Sequence, residues 1–506
     1  MLQETALTMQ KEKDIVEYVT RKNAIIEPSA VQLLKDDDDF RKVIDELLKQ
    51  DFLITEKAVG EKLLRKETKL TDSGIDEVVI NKTRFRASAS EIQADFRVME
   101  EYDVTNHSYS EGKVRNFVEM FRDKFEFLSS VLKTRNGFSP KQISRLSRIQ
   151  NSGDVEIIGM LFKKWVSKNG HLVMQLEDEE ASCLALVQKD DRKMNEEAAK
   201  VMLDNVVGIK GRKIGDGMIV IKEILWPDLP QRPPKKIDKD VSILATSDIH
   251  VGSKLFLEKE FGNFLNWING NASYGSDLQK VGRIKYMFIT GDNVDGVGVY
   301  PDQYDELSIK DLYEQYDGLC ELINQIPEYI EIFMCPGQHD AVRRADPQTA
   351  IPKKYFKTLA SHKNFHLIGS PSWVEVEGLK CMVYHGASLH DLYSSVNYLS
   401  ASKPHEAMAE LLKRRDLMVS YGMKQPYVPE KRDFMLIREE PDFYFGGDMH
   451  HNGYMQYRGC TIVNSGTWQD RTDFQIRQGH VPTPGIVVEI DLKSRGIRET
   501  HFLGKE

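Results

Sequence analysis

Short apolar runs recur between residues 238 and 506, and each is followed by Gly, Asp, His or Asn. They are 241–245, 286–289, 329–334, 382–384, 443–445 and 462–463, with helical stretches between several of them. This alternation predicts a layered α/β domain with its functional loops on one edge. From about 150 to 229 the period is strand-like. Runs at 155–162, 172–176, 183–187, 206–211 and 218–225 are separated by turn signals such as Gly215-Asp-Gly217. A helical patch, 195–202, falls before the fourth run, and five strands with a helix there predict an OB-type β-barrel. Phe162, Lys163, Lys164 and Trp165 are its candidates for contact with a single strand; a structural, protein-contact barrel is the other reading. The charged Pro-rich stretch 230–236 marks the boundary to the last domain.

Towards the amino terminus, Leu33, Leu34, Phe40, Val43, Ile44, Leu47 and Leu48 recur at helical spacing. Residues 1–67 are expected to form a small helical module, either simply packed or docking a partner. Asp36 to Asp39 form a solvated, helix-starting acidic run. Residues 68 to about 110 are polar and weakly periodic and are expected as linker. An amphipathic helix follows, with Val114, Phe117, Val118, Phe121, Phe125, Leu128 and Leu132 on one stripe; linker and helix together occupy 68–149.

Composition narrows the function. The chain has 506 residues, 41% hydrophobic and 29% charged, enough for two or three domains. No apolar run approaches the roughly 20 residues that span a bilayer, and the amino terminus lacks a signal-peptide pattern. A cytoplasmic location with no membrane contact is expected. Five scattered cysteines include no C-x-x-C pair, which argues against a zinc finger. The net charge of −9 excludes a broad basic grip on nucleic acid, so any such contact is local, metal-assisted or shared with a more basic partner.

The candidate chemistry lies at the ends of the apolar runs. Asp248 and His250 end the first, Asp292 the second, Gln338, His339 and Asp340 the third, His385 the fourth, and Asp448 and His450 the fifth. Phosphodiester hydrolysis needs charge stabilisation on phosphoryl oxygens and a nucleophile at neutral pH. Two divalent cations about 3.5–4 Å apart provide both, held by a bridging carboxylate with imidazole and oxygen ligands. One Asp-x-His after a strand is more often a capped loop; five such ends in order point to a metal site.

The order Asp-x-His, Gly-Asp, Gly-x-His-Asp, His, Gly-x-x-His resembles calcineurin-like metallophosphoesterases. Further stretches are similar to one branch, the small subunits of archaeal family D DNA polymerase. They are Gly337 to Arg343 with Asp346-Pro-Gln348, then Tyr421-Gly422, Pro426 and Pro429. Gly446 to Tyr454, Tyr457 to Gly459 and Asn464 to Gln469 complete the set. The resemblance covers about 150–506. It implies a calcineurin-like phosphoesterase domain over 238–506 and two divalent ions, Mn²⁺ first, with Mg²⁺, Fe²⁺ or Zn²⁺ as alternatives. One ion would take Asp248, His250 and His450. Asp292 would bridge to the second, held also by His385, Gln338 and Asp448. His339 would be the catalytic histidine, oriented by Asp340. The family usually has Asn in place of Gln338 and His in place of Asp448, and both departures fall on the second ion. The resemblance implies a 3′→5′ proofreading exonuclease acting on a DNA primer 3′ end, with a large catalytic polymerase subunit as partner. The amino-terminal module would serve other replication factors. The alternatives are a weakened or inactive structural B-subunit and a stand-alone phosphatase or repair nuclease.

Overall fold

Apolar side chains at helical spacing need a covered face. In the computed structural model, the chain forms two units, residues 1–84 and 85–506. The residues described are 13–22, 24–34, 40–48, 53–55, 59 and 85–503, apart from 216, 272–277, 360 and 478. In the first unit Leu34, Phe40, Val43, Ile44 and Leu47 are buried together with Ile15 and Val19. Helices Pro28–Leu34 and Phe40–Leu47 carry the first five. A parallel pair, β1 (Ile25–Ile26) and β2 (Leu53–Ile54), adds Ile54 to that core. Leu33 is 40% exposed and lies off the buried face. The run Asp36 to Asp39 and residues 68–84 fall outside the described residues.

Residues 85–110, expected as linker, are instead part of the second unit. β3 (Phe96–Val98) is an edge strand of a six-stranded sheet. Asp103 is buried and accepts from Gly369 N and Ser372 Oγ, both at 2.7 Å. Three strand residues carry too little period to be read from sequence. The helix Val114–Lys133 also differs from expectation. Its buried line is Asn116, Met120, Lys124, Leu128 and Leu132, whereas Val114 and Val118 are exposed. Lys124 is inside because Asp416 lies 2.6 Å from its Nζ. Removing one member of such a pair strands a buried charge, at about 3–5 kcal/mol.

The five runs between 150 and 229 become β4 (Asp154–Val166), β5 (Leu172–Glu177), β6 (Ser182–Val187), β7 (Val206–Gly215) and β8 (Met218–Leu225). They close a barrel in the order β4-β5-β6-β8-β7. The helix Arg192–Ala199 sits between β6 and β7, capped by Asp191 Oδ1, which accepts from Met194 N at 3.0 Å. Phe162 is exposed, and Lys163 lies over the Trp165 ring. Lys164, however, donates to the carbonyls of Ala199 (2.9 Å) and Val201 (2.7 Å). Its ammonium is engaged by the carboxyl end of that helix and is not free for a phosphate.

The rest of the chain packs two sheets face to face. One has the order β12-β11-β10-β9-β18-β19 and the other β16-β17-β15-β14-β13-β3. The strands are β9 (Ser242–Thr246), β10 (Ile284–Thr290), β11 (Glu331–Cys335), β12 (Phe365–Leu367), β13 (Ser372–Val376) and β14 (Leu379–Val383). Then come β15 (Phe443–Gly446), β16 (Gly453–Tyr457), β17 (Cys460–Asn464), β18 (Ile486–Asp491) and β19 (Ile497–His501). Alternate residues of a strand face opposite sides. Ile243, Ala245, Phe288 and Phe333 therefore meet Val383, Phe443, Phe445 and Val463 between the sheets. Leu244, Met287 and Met334 face Phe261, Phe264 and Leu319 of the helices Glu258–Ile268 and Leu312–Ile323. On the outer side of the second sheet, Met382, Tyr384 and Ile462 meet Met408, Leu411 and Leu412 of the helix Pro404–Arg414. Strands β9 to β12 run parallel, as do β14, β15 and β17. Their carboxyl ends share one edge, where Thr290 Oγ1 donates to Gly446 O of the other sheet at 3.0 Å.

Candidate metal centre

That shared edge brings together nine side chains singled out from sequence. Asp248 and His250 follow β9, Asp292 follows β10, and Gln338, His339 and Asp340 follow β11. His385 follows β14, and Asp448 and His450 follow β15. Asp248, His250, Asp292, Asp448 and His450 all have φ between +48° and +67°. Each costs of order 1–3 kcal/mol and persists only where the surroundings over-determine it. Strand ends meeting at one point account for that strain: the chain turns sharply so that the side chains converge.

The centre has two halves. In the first, His250 Nε2 and His450 Nε2 are 3.0 Å apart, and Asp248 Oδ1 is 3.3 Å from His450 Nε2 and 3.9 Å from His250 Nε2. In the second, His385 Nε2 is 3.2 Å from Asp292 Oδ2 and 3.7 Å from Asp448 Oδ1. Ligand atoms of Asp248, His250 and His450 lie within 4.8 Å of one another, as do those of Asp248, Asp292 and His385. Asp248 Oδ1, His385 Nε2 and Gln338 Oε1 are buried without a hydrogen-bond partner. An unsatisfied buried polar atom costs about 1–3 kcal/mol. Three of them around neighbouring carboxylates fit a pair of divalent cations, which would satisfy them between them. A cramped floor supports the same fit. A methyl group on Gly337 would lie 2.2 Å from Asp292 Oδ1, and one on Gly447 would lie 2.5 Å from Asp248 Oδ2.

Hydrogen bonds on the far sides of the rings aim them. His250 Nδ1 donates to Asp295 Oδ1 at 3.0 Å, and His385 Nδ1 donates to Thr290 O at 2.6 Å. The Gln475 amide lies 2.8 Å from His450 Nδ1. Asp295 is itself held by Gln469 Nε2 (3.0 Å) and Gln303 Nε2 (2.9 Å). Such outer partners fix ring orientation and ligand basicity. The electrostatics differ between the halves. Burial lowers the His250 pKa. Burial also opposes charge on His385, but Asp292, Asp248 and Asp448 outweigh it and raise that imidazole well above its ordinary value. Burial opposes charge on Asp292 too, yet His385 and His339 hold its carboxyl below the usual range.

His339 is half-buried at the mouth, its ring edge-on to His250 with centroids 4.8 Å apart. Its Nδ1 donates to the Asp295 carbonyl at 2.7 Å. Asp340 therefore does not orient it, contrary to expectation. The Asp340 carboxylate accepts from Asn293 Nδ2 (2.9 Å), Gly337 N (3.0 Å) and Tyr316 OH (2.9 Å). It braces the loop, and burial beside Asp292 pushes it up to about 6. Gln338 Nε2 donates to Asp448 Oδ1 at 3.0 Å, so the two residues that depart from the pattern implied by the resemblance touch each other. The cleft over the centre holds about 570 Å³ and is flanked by Tyr300, Tyr393 and Lys424.

The family model for the B-subunits of DNA polymerases alpha and epsilon matches residues 261–454. The DNA polymerase II small subunit of Methanothermobacter thermautotrophicus is 34% identical over 497 residues, covering 96% of this chain and 98% of the relative. The chain belongs to the DNA polymerase II small subunits, those of archaeal family D polymerase. Its relative from Methanocaldococcus jannaschii is 37% identical over 425 residues, with 83% and 71% covered. That from Archaeoglobus fulgidus is 36% identical over 388 residues, with 76% and 77% covered. A solved archaeal phosphodiesterase aligns with 51% of this chain at 12% identity and a TM-score of 0.26, too low to carry an argument.

Three functional positions are not evident from the sequence. Asp295 has a signal, the Asp-x-x-Asp spacing from Asp292. His390 follows His385 by five residues, on the short helix Leu389–Ser395. Gln475 carries none, because it reaches the centre only through tertiary packing.

Proposed function

We propose that this chain carries a two-metal phosphodiesterase centre and serves as the 3′→5′ proofreading exonuclease of a family D DNA polymerase. The observation that carries the reading is the convergence of buried, unpartnered Asp248 Oδ1 and His385 Nε2 around Asp292. Residues 238–506 are then a calcineurin-like metallophosphoesterase domain, 150–229 an OB-type barrel and 1–67 a helical module for other replication factors. A small subunit has a large catalytic subunit as its partner, and the DNA primer 3′ end is the substrate. Among the described residues no helix is long and apolar enough to cross a membrane.

Asp248, His250 and His450 would hold one divalent cation, and His385, Gln338 and Asp448 the other, with Asp292 between; Mn²⁺ suits this set of imidazoles and oxygens, and Mg²⁺, Fe²⁺ or Zn²⁺ are alternatives. When bound, such a pair offsets charge on the phosphoryl oxygens and provides a nucleophile at neutral pH. The chain's own groups do the rest. Burial opposes charge on His339, but Asp292 and Asp295 raise its pKa above the ordinary value. With Nδ1–H on the Asp295 carbonyl, its Nε2–H is free to protonate the leaving 3′ oxygen. Asp340 keeps the loop under His339 in place.

The second reading, a structural B-subunit, draws on the Gln338–Asp448 hydrogen bond, which ties two second-half ligands to each other. One measurement separates the two. Mn²⁺-dependent loss of a mismatched primer terminus is followed with the chain and its polymerase complex, beside His339→Ala. The exonuclease reading expects activity that the substitution abolishes. Equal inactivity of both proteins would leave the structural reading, and activity that survives the substitution would overturn the role of His339.

A further inference from the structure

Asp448 stands where the resemblance implies an imidazole, and an imidazole from a neighbouring helix lies beside it. His390 Nε2 lies 2.9 Å from Asp448 Oδ2. The other carboxylate oxygen, Oδ1, faces His385 Nε2 at 3.7 Å and accepts from Gln338 Nε2 at 3.0 Å. Gln338 thus holds Oδ1 toward the second half of the centre, while Oδ2, which accepts no hydrogen bond, has the His390 ring beside it at ion-pair distance. The Asp448 side chain is 7% exposed and that of His390 54%. A surface imidazole thus reaches inward to a buried carboxylate.

The position of His390 is set by the fold. It stands on the helix Leu389–Ser395, which begins four residues after His385. Its neighbour Asp391 is buried and accepts from Lys424 N (3.1 Å) and Gln425 N (2.9 Å). Leu389 N donates to Gly386 O at 2.8 Å, and Ser388 N donates to the Tyr384 hydroxyl at 3.0 Å. The start of that helix is therefore pinned on three sides, and His390 is presented to Asp448 rather than drifting past it.

A carboxylate reaches less far than an imidazole and can rotate, so it ligates well only if its second oxygen is held. We propose that His390 is the positioning residue that lets Asp448 serve as a ligand of the second divalent cation, so that Gln338, Asp448 and His390 replace the family's Asn and His as one unit. This rests on the two-metal reading above, but concerns binding of the ion and not the hydrolysis.

The test is Mn²⁺ titration of the full chain by calorimetry, with electron paramagnetic resonance to distinguish isolated from spin-coupled ions. The wild type is expected to bind two ions. In His390→Ala the first ion keeps its affinity, the second weakens about 10–100-fold, and the spectrum shifts toward isolated ions. His390→Gln, which keeps an N–H donor at similar reach, restores the second ion in part. In an Asp448→His background, His390→Ala has no further effect, a dependence that a merely structural role would not show. The inference is overturned if the wild type binds one ion, if His390→Ala leaves the second affinity unchanged or weakens both ions equally, or if its effect persists beside Asp448→His. Nuclease activity is assayed on the same samples. Two-ion binding that depends on His390 without hydrolysis would sink the exonuclease reading alone. Hydrolysis with a second ion indifferent to His390 would sink this inference alone.

Discussion

The two halves of the centre are built at the same sheet edge from similar residues, yet they solve the ligand problem differently. In the first, each ring is aimed by a side chain behind it, His250 by Asp295 and His450 by Gln475. In the second, His385 is aimed by a backbone carbonyl of β10, Gln338 and Asp448 are hydrogen-bonded to each other, and His390 lies beside Asp448. The first half has the residues that the resemblance implies; the second departs from them at Gln338 and Asp448. The first half thus depends on Asp295 and Gln475 from outside the candidate ligand set, whereas in the second half two candidate ligands lean on each other.

The largest effect separates both halves from the chemistry. His339→Ala is expected to lower primer hydrolysis about 10²–10⁴-fold, while calorimetry still detects both ions. Loss of an ion in that variant would mean that His339 is a ligand. Next, Asp295→Ala removes the support of His250. The first ion should weaken about 10–100-fold and the second should not; equal weakening would erase the distinction between the halves. The pH dependence sharpens it further. Burial lowers the His250 pKa, so that ring is neutral and ready at pH 7. His385 is raised well above its ordinary value, so a proton must leave before an ion enters. Second-ion affinity should therefore rise about tenfold per pH unit up to that raised value, with a steeper slope than first-ion affinity around neutrality. Titrations across that range check the two slopes, and equal slopes would break the comparison. The smallest effect is expected from restoring the family pair. Gln338→Asn with Asp448→His should change second-ion affinity by less than about tenfold, since one held oxygen ligand gives way to one imidazole.

Much of the centre was legible because its ligands end apolar runs, and a strand buried on both faces announces its own end. Asp248, His250, Asp292, His385 and His450 could be named for that reason. What stayed hidden depends on contacts distant in sequence. Gln475 meets His450 only because the short helix Asp473–Arg477, after β17, packs over the edge. The role given to Asp340 went instead to the Asp295 carbonyl, since backbone acceptors leave no trace in residue identity. In the fold, the barrel was readable from five alternating runs. β3 was not, because three residues take their register from β13. The helix Val114–Lys133 was legible as a helix, but its buried face was not, since the place of Lys124 is decided by Asp416, 292 positions later.

The left-handed backbone at five of the candidate ligand positions also restricts what can ever stand there. Besides glycine, Asn, Asp and His are the residues that enter this region most readily, while β-branched and bulky side chains are outliers in it. These are largely the residues that bind divalent cations. Position 448, at φ +67°, thus has a very small alphabet. An exchange of His for Asp is among the few moves open to it, and nearly every letter it can accept is still a ligand. Drift at such a site changes which atoms hold the ion long before it abolishes the capacity to hold one.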